Sequence, residues 1–268
     1  MKIENSFLQA EVSPGGGALT SLKLFGKELI PLGNENRLCF PVIGEPVPLV
    51  LDEASYSLPR NGFLQHEDLD LKEATSEKLV FSSPDDPKRK GLYPFDYDLE
   101  LSYELEEDVL IIRAKIANRG EKTMPFQFGF HHEFTVDLGT ATLDFKEAET
   151  NFVPMEGDYV SPISQFSKAT DQPITGEELI KEGQTLIIDA PHHSISLHTG
   201  TGVRIEFRYA CNIIAISRPS ALALSVDPWW GLAPRGEEEE NPLDRETFLK
   251  LPPKSERVYE ARLRFSLD

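Results

Sequence analysis

The sequence predicts an all-β protein, and three observations carry that prediction. Apolar residues recur at every second position in long runs. In "YDLELSYEL", Tyr97, Leu99, Leu101, Tyr103 and Leu105 fall on one face, and Asp98, Glu100, Ser102 and Glu104 on the other. No stretch keeps a 3.6-residue period over three turns; "TGEELIKEG", Thr175 to Gly183, has room for one or two helical turns at most. The 20 prolines and 18 glycines punctuate the alternating runs throughout.

The elements follow in order. At the start, "FLQAEV" and "ALTSLKLFG" flank "SPGGG" as strand, turn and strand. A glycine run can cradle phosphate, but a phosphate loop needs a following Gly-Lys-Ser/Thr and a helix; here a strand follows, so Ser13 to Ala18 read as a hairpin turn. The strand through Tyr97–Leu105 turns at Glu106 to Asp108. It returns as "VLIIRAKIANRG", with Leu110, Ile112, Ala114 and Ile116 on one face. "SISLHTGTGVRIEFRY" gives a strand, a turn at Thr199 to Gly202, and a strand with Val203, Ile205, Phe207 and Tyr209 inward. "VYEARLRFSL" alternates again near the end. No Pro/Ser/Gly linker cuts the chain, and no fixed-period repeat divides it. Residues 1–268 therefore read as a single domain, two large antiparallel sheets packed face to face.

Composition narrows the function. A chain of 268 residues is ample for a sizeable core. Acidic residues outnumber basic ones, 45 to 27, for a formal charge of -18. No Lys/Arg cluster offsets that balance, so a polyphosphate such as nucleic acid is not expected as a partner. Cys39 and Cys211 stand apart in apolar surroundings and read as reduced core cysteines. "MKIENSFLQAEV" lacks the apolar run of a secretory signal, and no segment approaches the ~18 apolar residues of a membrane span. A cytoplasmic location follows as the expectation.

Two stretches carry candidate chemistry. The first is "FGFHHEF", residues 128–134. Successive strand side chains point to opposite faces, so His131 and His132 cannot easily share a metal; the same holds for His192 and His193 if that segment is extended. None of the six histidines has zinc-motif spacing, and no metal is expected. His131 lies on the side of Gly129, opposite Phe126, Phe128, Phe130 and Phe134, and the glycine leaves room for a ligand to approach the backbone. The bland alternative is a core histidine with a satisfied hydrogen bond. The second stretch is "ALSVDPWWGLAP". Ala223 to Val226 read as a strand that Asp227 closes and Pro228 stops. A carboxylate beside Trp229 and Trp230 suits a sugar: it bonds hydroxyls while an indole face meets C–H groups. A buried tryptophan anchor is the alternative. The acidic run Arg235 to Pro242 reads as a solvated loop.

These stretches, with "ENSFLQAEVSPGGGALTSLKLFGKEL", "CFPVIGE", "NGF" at 61–63, "YPFDYDLELSYEL", "ANRGEKTMPFQFGFHHEF" and "SVDPWWG", resemble the aldose 1-epimerase (galactose mutarotase-like) family, in its short, divergent bacterial branch. The resemblance runs over nearly the whole length and rests on the order and spacing of the motifs together.

The resemblance implies a β-supersandwich that interconverts the α and β anomers of an aldose without a cofactor. A general base takes the proton of the anomeric hydroxyl, and a general acid protonates the ring oxygen. His131 matches the family's acid and Asp227 its base, where glutamate is usual. His132 stands where proline is usual. Asn61 replaces a histidine and Gln65 an arginine. Both can still bond hydroxyls, but they bring no positive charge, which disfavours a phosphorylated sugar. Glu45 takes another arginine's place, so a more acidic, less cationic site is expected. Trp229 is the expected aromatic contact. The implied partner is a small-molecule sugar, with neither nucleic acid nor membrane, and the assembly a monomer or homodimer. Two rival readings are a sugar-binding protein of this fold that has lost catalysis and an enzyme with a different reaction on a sugar.

Overall fold

In a computed structural model of the chain, the alternating runs form strands that, among the described residues, assemble into two nine-stranded antiparallel sheets and smaller ones. The structure describes residues 1–33, 36–45, 48–83, 87–145, 149–161, 166–169, 174–175, 181, 183–189, 194–211, 213–236 and 238–268. Most of the segment expected to hold a short helical turn, and both His192 and His193, lie outside these residues.

The hairpins form where the turn signals stand. Leu8–Val12 pairs with Leu19–Leu24 across the glycine run. Tyr97–Glu106 pairs with Val109–Asn118 around a two-residue turn in which Glu107 has φ 53°. Ser194–His198 pairs with Val203–Tyr209. In the first large sheet, Val203–Tyr209, Glu256–Leu267, Val109–Asn118 and Tyr97–Glu106 lie side by side. In the second, Ile213–Ser220 lies beside Ala223–Trp230, which is flanked by Phe128–Phe130 and Glu133–Thr135. Leu38–Cys39 follows at that sheet's edge.

The inner faces of the two sheets meet through aromatic rings. Phe128 of the second sheet lies 5.3 Å from Tyr259 of the first, and Phe134 lies 5.7 Å from Phe207. Leu224, Val226, Phe130, Ile112, Leu263 and Phe265 join the same core. Burying such side chains contributes ~1.5–3 kcal/mol each, and the period-two pattern is what brings them to one face.

One expected boundary is corrected. The strand does not stop at Asp227 but runs through it and Pro228 to Trp230, buried along its whole length. The Val226 N–H donates to the His132 carbonyl at 3.1 Å, and a donor at position 228 would aim the same way. On that side the partner ladder is interrupted between Phe130 and Glu133. Pro228 thus withholds its missing N–H where no ladder bond is made, and the pairing with Ile213–Ser220 continues.

Candidate functional site

The break between Phe130 and Glu133 holds the two histidines, and the flanking residues satisfy their freed backbone donors. The His131 N–H donates to the Arg37 carbonyl at 2.8 Å, and the His132 N–H donates to Asp227 Oδ1 at 2.8 Å. Alternation survives the break. His132 is buried, stacked on Phe130 at 5.5 Å, while His131 opens into a cleft of about 500 Å³.

In that cleft His131 Nδ1 lies 2.9 Å from Asp227 Oδ2, and His131 Nε2 lies 3.4 Å from Glu133 Oε2. Ser225 Oγ donates to Asp227 Oδ2 at 3.3 Å. The imidazole is 34% exposed, whereas both carboxylates are 8% exposed. Burial works most strongly on His131 and opposes its charge. The charge and hydrogen bond of Asp227, with those of Glu133, outweigh it and push the imidazole up to about 10. His131 is therefore an imidazolium at neutral pH.

His132 is the reverse case. Tyr209 Oη donates to the Val226 carbonyl at 3.0 Å, so His132 Nδ1–H must donate to Tyr209 Oη at 3.1 Å. Its Nε2 is buried with no hydrogen-bond partner. Burial first, and the neighbouring His131 second, push His132 down to about 3, so it stays neutral.

The other expected residues reach the same cleft, with different duties. Asn61 sits in a left-handed turn with φ 58° beside Gly62, where a Cβ would lie 1.9 Å from the Phe40 carbonyl oxygen. Only glycine fits there, and the turn carries Asn61 to the cleft rim. Asn61 Oδ1 accepts the Gly44 N–H at 2.8 Å, and Gln65 Nε2 donates to the carbonyls of Arg60 at 2.7 Å and Gly62 at 3.3 Å. Both line the cleft while bracing its turns.

Trp229 lines the cleft, and Trp230 turns to the core, its Nε1 donating to the Ala210 carbonyl at 2.7 Å. The room expected above Gly129 for a ligand is taken by Trp229: a Cβ at Gly129 would meet its Cδ1 at 2.8 Å. Gly129→Ala is expected to displace that indole and cost ~1–3 kcal/mol. A lower thermal midpoint with changed tryptophan fluorescence would confirm this; an unaltered protein would refute it.

Positive charge reaches the cleft from positions other than Asn61 and Gln65. Arg37 and Arg60 line the cleft, and Arg60 bridges to Asp158, its Nε donating to Oδ2 at 2.8 Å. That pair holds the guanidinium above its ordinary range despite partial burial. Glu45 lies instead on a smaller adjoining pocket with Arg245. Cys39 reaches the cleft wall, but burial, then the charge of Asp227, push its thiol up to about 12. Both cysteines are free and buried. Among the described residues no cluster of three or more His, Cys, Asp or Glu could hold a metal ion, and no helix is long and apolar enough to cross a membrane.

Sequence reasoning missed Glu133, Arg37, Arg60 and Asp158. Glu133 was legible: it stands two residues beyond His131 and so shares its face. The others come from distant segments and left no local signal.

Residues 1–191 match the family model for aldose 1-epimerase. The chain belongs to the aldose 1-epimerase family. No curated protein sequence matches it. Among solved structures it is similar to a galactose mutarotase related enzyme from Lactobacillus acidophilus, with a TM-score of 0.91 at 20% identity over 99% of this chain and 97% of that one. A galactose mutarotase-like protein from Lactobacillus casei gives 0.87 at 20% identity, over 99% of each chain. Galactose 1-epimerase from L. acidophilus gives 0.74 at 12% identity, covering 99% of this chain and 93% of that one. At these identities the likeness establishes the galactose mutarotase-like fold that this family member shares.

Proposed function

We propose that this family member interconverts the α and β anomers of an aldose, with Asp227 as general base and His131 as general acid. The observation that carries the reading is the 2.9 Å approach of His131 Nδ1 to Asp227 Oδ2 in the cleft. The two oxygens that exchange protons, the anomeric hydroxyl and the ring oxygen, are bonded to the same carbon. An acid and a base must therefore stand side by side, as these do.

Asp227 takes the proton of the anomeric hydroxyl, the C1–O double bond forms, and the bond from C1 to the ring oxygen breaks. The ring oxygen receives the His131 proton. The aldehyde rotates and the steps reverse: His131 recovers its proton as the ring oxygen attacks the other face, and Asp227 returns the first. No proton or electron is gained or lost overall. Each transfer contributes ~10²–10⁴-fold when the groups are within hydrogen-bond reach. Trp229 offers an apolar wall for the sugar's C–H face. We read residues 1–268 as one domain serving this site.

One observation favours the second reading, a sugar-binding protein without turnover. Asn61 Oδ1 and Gln65 Nε2 are already engaged with backbone groups, leaving fewer donors and acceptors for hydroxyls. Polarimetry on freshly dissolved α-D-glucose and α-D-galactose separates the two. Acceleration that disappears in a folded His131→Ala variant supports the enzyme. Sugar binding without acceleration supports the binding protein.

A further inference from the structure

We propose that Glu133 is a positioning residue for His131: its carboxylate stands behind the imidazole, keeps Nε2 protonated, and turns Nδ1 toward Asp227 and the cleft. The proposal rests on the reading of His131 as the acid. Its grounds are geometric. Glu133 Oε2 lies 3.4 Å from Nε2, on the far side of the ring from the 2.9 Å contact with Asp227. Glu133 pairs with Ser225, two residues before Asp227, so adjacent strands aim two carboxylates at one ring. The Glu133 backbone is clamped by Asn36, whose Oδ1 accepts its N–H at 2.9 Å and whose Nδ2 donates to its carbonyl at 3.4 Å.

A carboxylate at 8% exposure is costly unless a cation or several donors compensate it, and an imidazolium within reach is such a cation. A buried carboxylate that fixes the tautomer and orientation of a catalytic histidine is a recurrent arrangement on unrelated folds. Here the fixed proton sits on Nε2, which leaves Nδ1, in contact with Asp227, to carry the proton that passes to the substrate.

The other charged and titratable groups around the ring are few. Asp227 faces it from the neighbouring strand, and Arg37 and Cys39 come from the edge strand on the other side, where the Arg37 carbonyl accepts the His131 N–H. Arg60 and Asp158 line the same cleft, bonded to each other. His132 points to the opposite face and is neutral. Of these described groups, Glu133 is the one within 3.4 Å of Nε2, so its charge can be tested separately.

The test is an NMR titration of histidine-labelled protein, with the His131 signal assigned by its loss in His131→Ala. Glu133→Gln keeps an acceptor for Nε2–H and removes the charge; Glu133→Asp keeps the charge at a greater distance. Glu133→Gln should lower the His131 midpoint by about one pH unit or more, a tenfold change in proton affinity. Glu133→Asp should recover part of it. The alkaline limb of the anomerisation rate should move down by the same amount in Glu133→Gln. An unchanged midpoint overturns the proposal, as does a rate that falls equally at every pH. If no sugar is accelerated by the wild-type protein, the reading of His131 as the acid fails, whereas the titration still decides whether Glu133 controls the ring.

Discussion

Asp227→Asn is expected to lower the anomerisation rate by ~10²–10⁴-fold with little change in fold. The substitution is nearly isosteric, and its amide oxygen can still accept the His132 N–H that Asp227 Oδ1 accepts at 2.8 Å. What disappears is the base. His131 also loses the nearer of its two carboxylates, at 2.9 Å, so less of it is protonated above neutral pH. The variant should therefore lose rate everywhere and most at alkaline pH. Polarimetry at matched protein concentration, beside a thermal melt, checks both parts. A folded variant within twofold of wild type would remove Asp227 from the mechanism.

The second large effect is on stability against pH, where the adjacent histidines act in opposite directions. His132 is pushed down to about 3 in the folded chain, against an ordinary 6.5. Between those values the unfolded chain binds one proton more, so stability falls as pH drops, by up to ~1.4 kcal/mol per pH unit. His131 is pushed up to about 10, so its contribution is complete below 6.5 and is lost as pH rises through the folded value. At 34% exposure that second contribution is weakened by solvent screening. Together they place the pair's optimum near pH 6.5. Denaturant melts of wild type and His132→Phe at pH 4.5, 6.5 and 9 isolate the acid limb from that of the other carboxylates. Phenylalanine keeps a ring to stack on Phe130 and cannot charge. If the two proteins lose stability equally between pH 6.5 and 4.5, His132 does not carry the acid limb.

Some of this site was legible residue by residue. The period of two separated His131 from His132 and put Phe128, Phe130 and Phe134 on the buried side, because side-chain direction in a strand follows from the local pleat alone. The same rule applied two residues further on would have added Glu133. The family's motif order pointed to Asp227, which stands 96 residues from His131.

Only the tertiary structure decided the rest. That Pro228 sits inside a strand depends on where the neighbouring ladder breaks, not on Pro228 itself. That Trp229 fills the space above Gly129 depends on the register between their strands. That Asn61 and Gln65 brace turns, while Arg37 and Arg60 line the cleft, depends on which distant backbone lies within hydrogen-bond reach. Periodicity and turn chemistry are local and readable along the chain. Register, and the partners it creates, are properties of pairs of strands far apart in sequence, and only folding brings those pairs together.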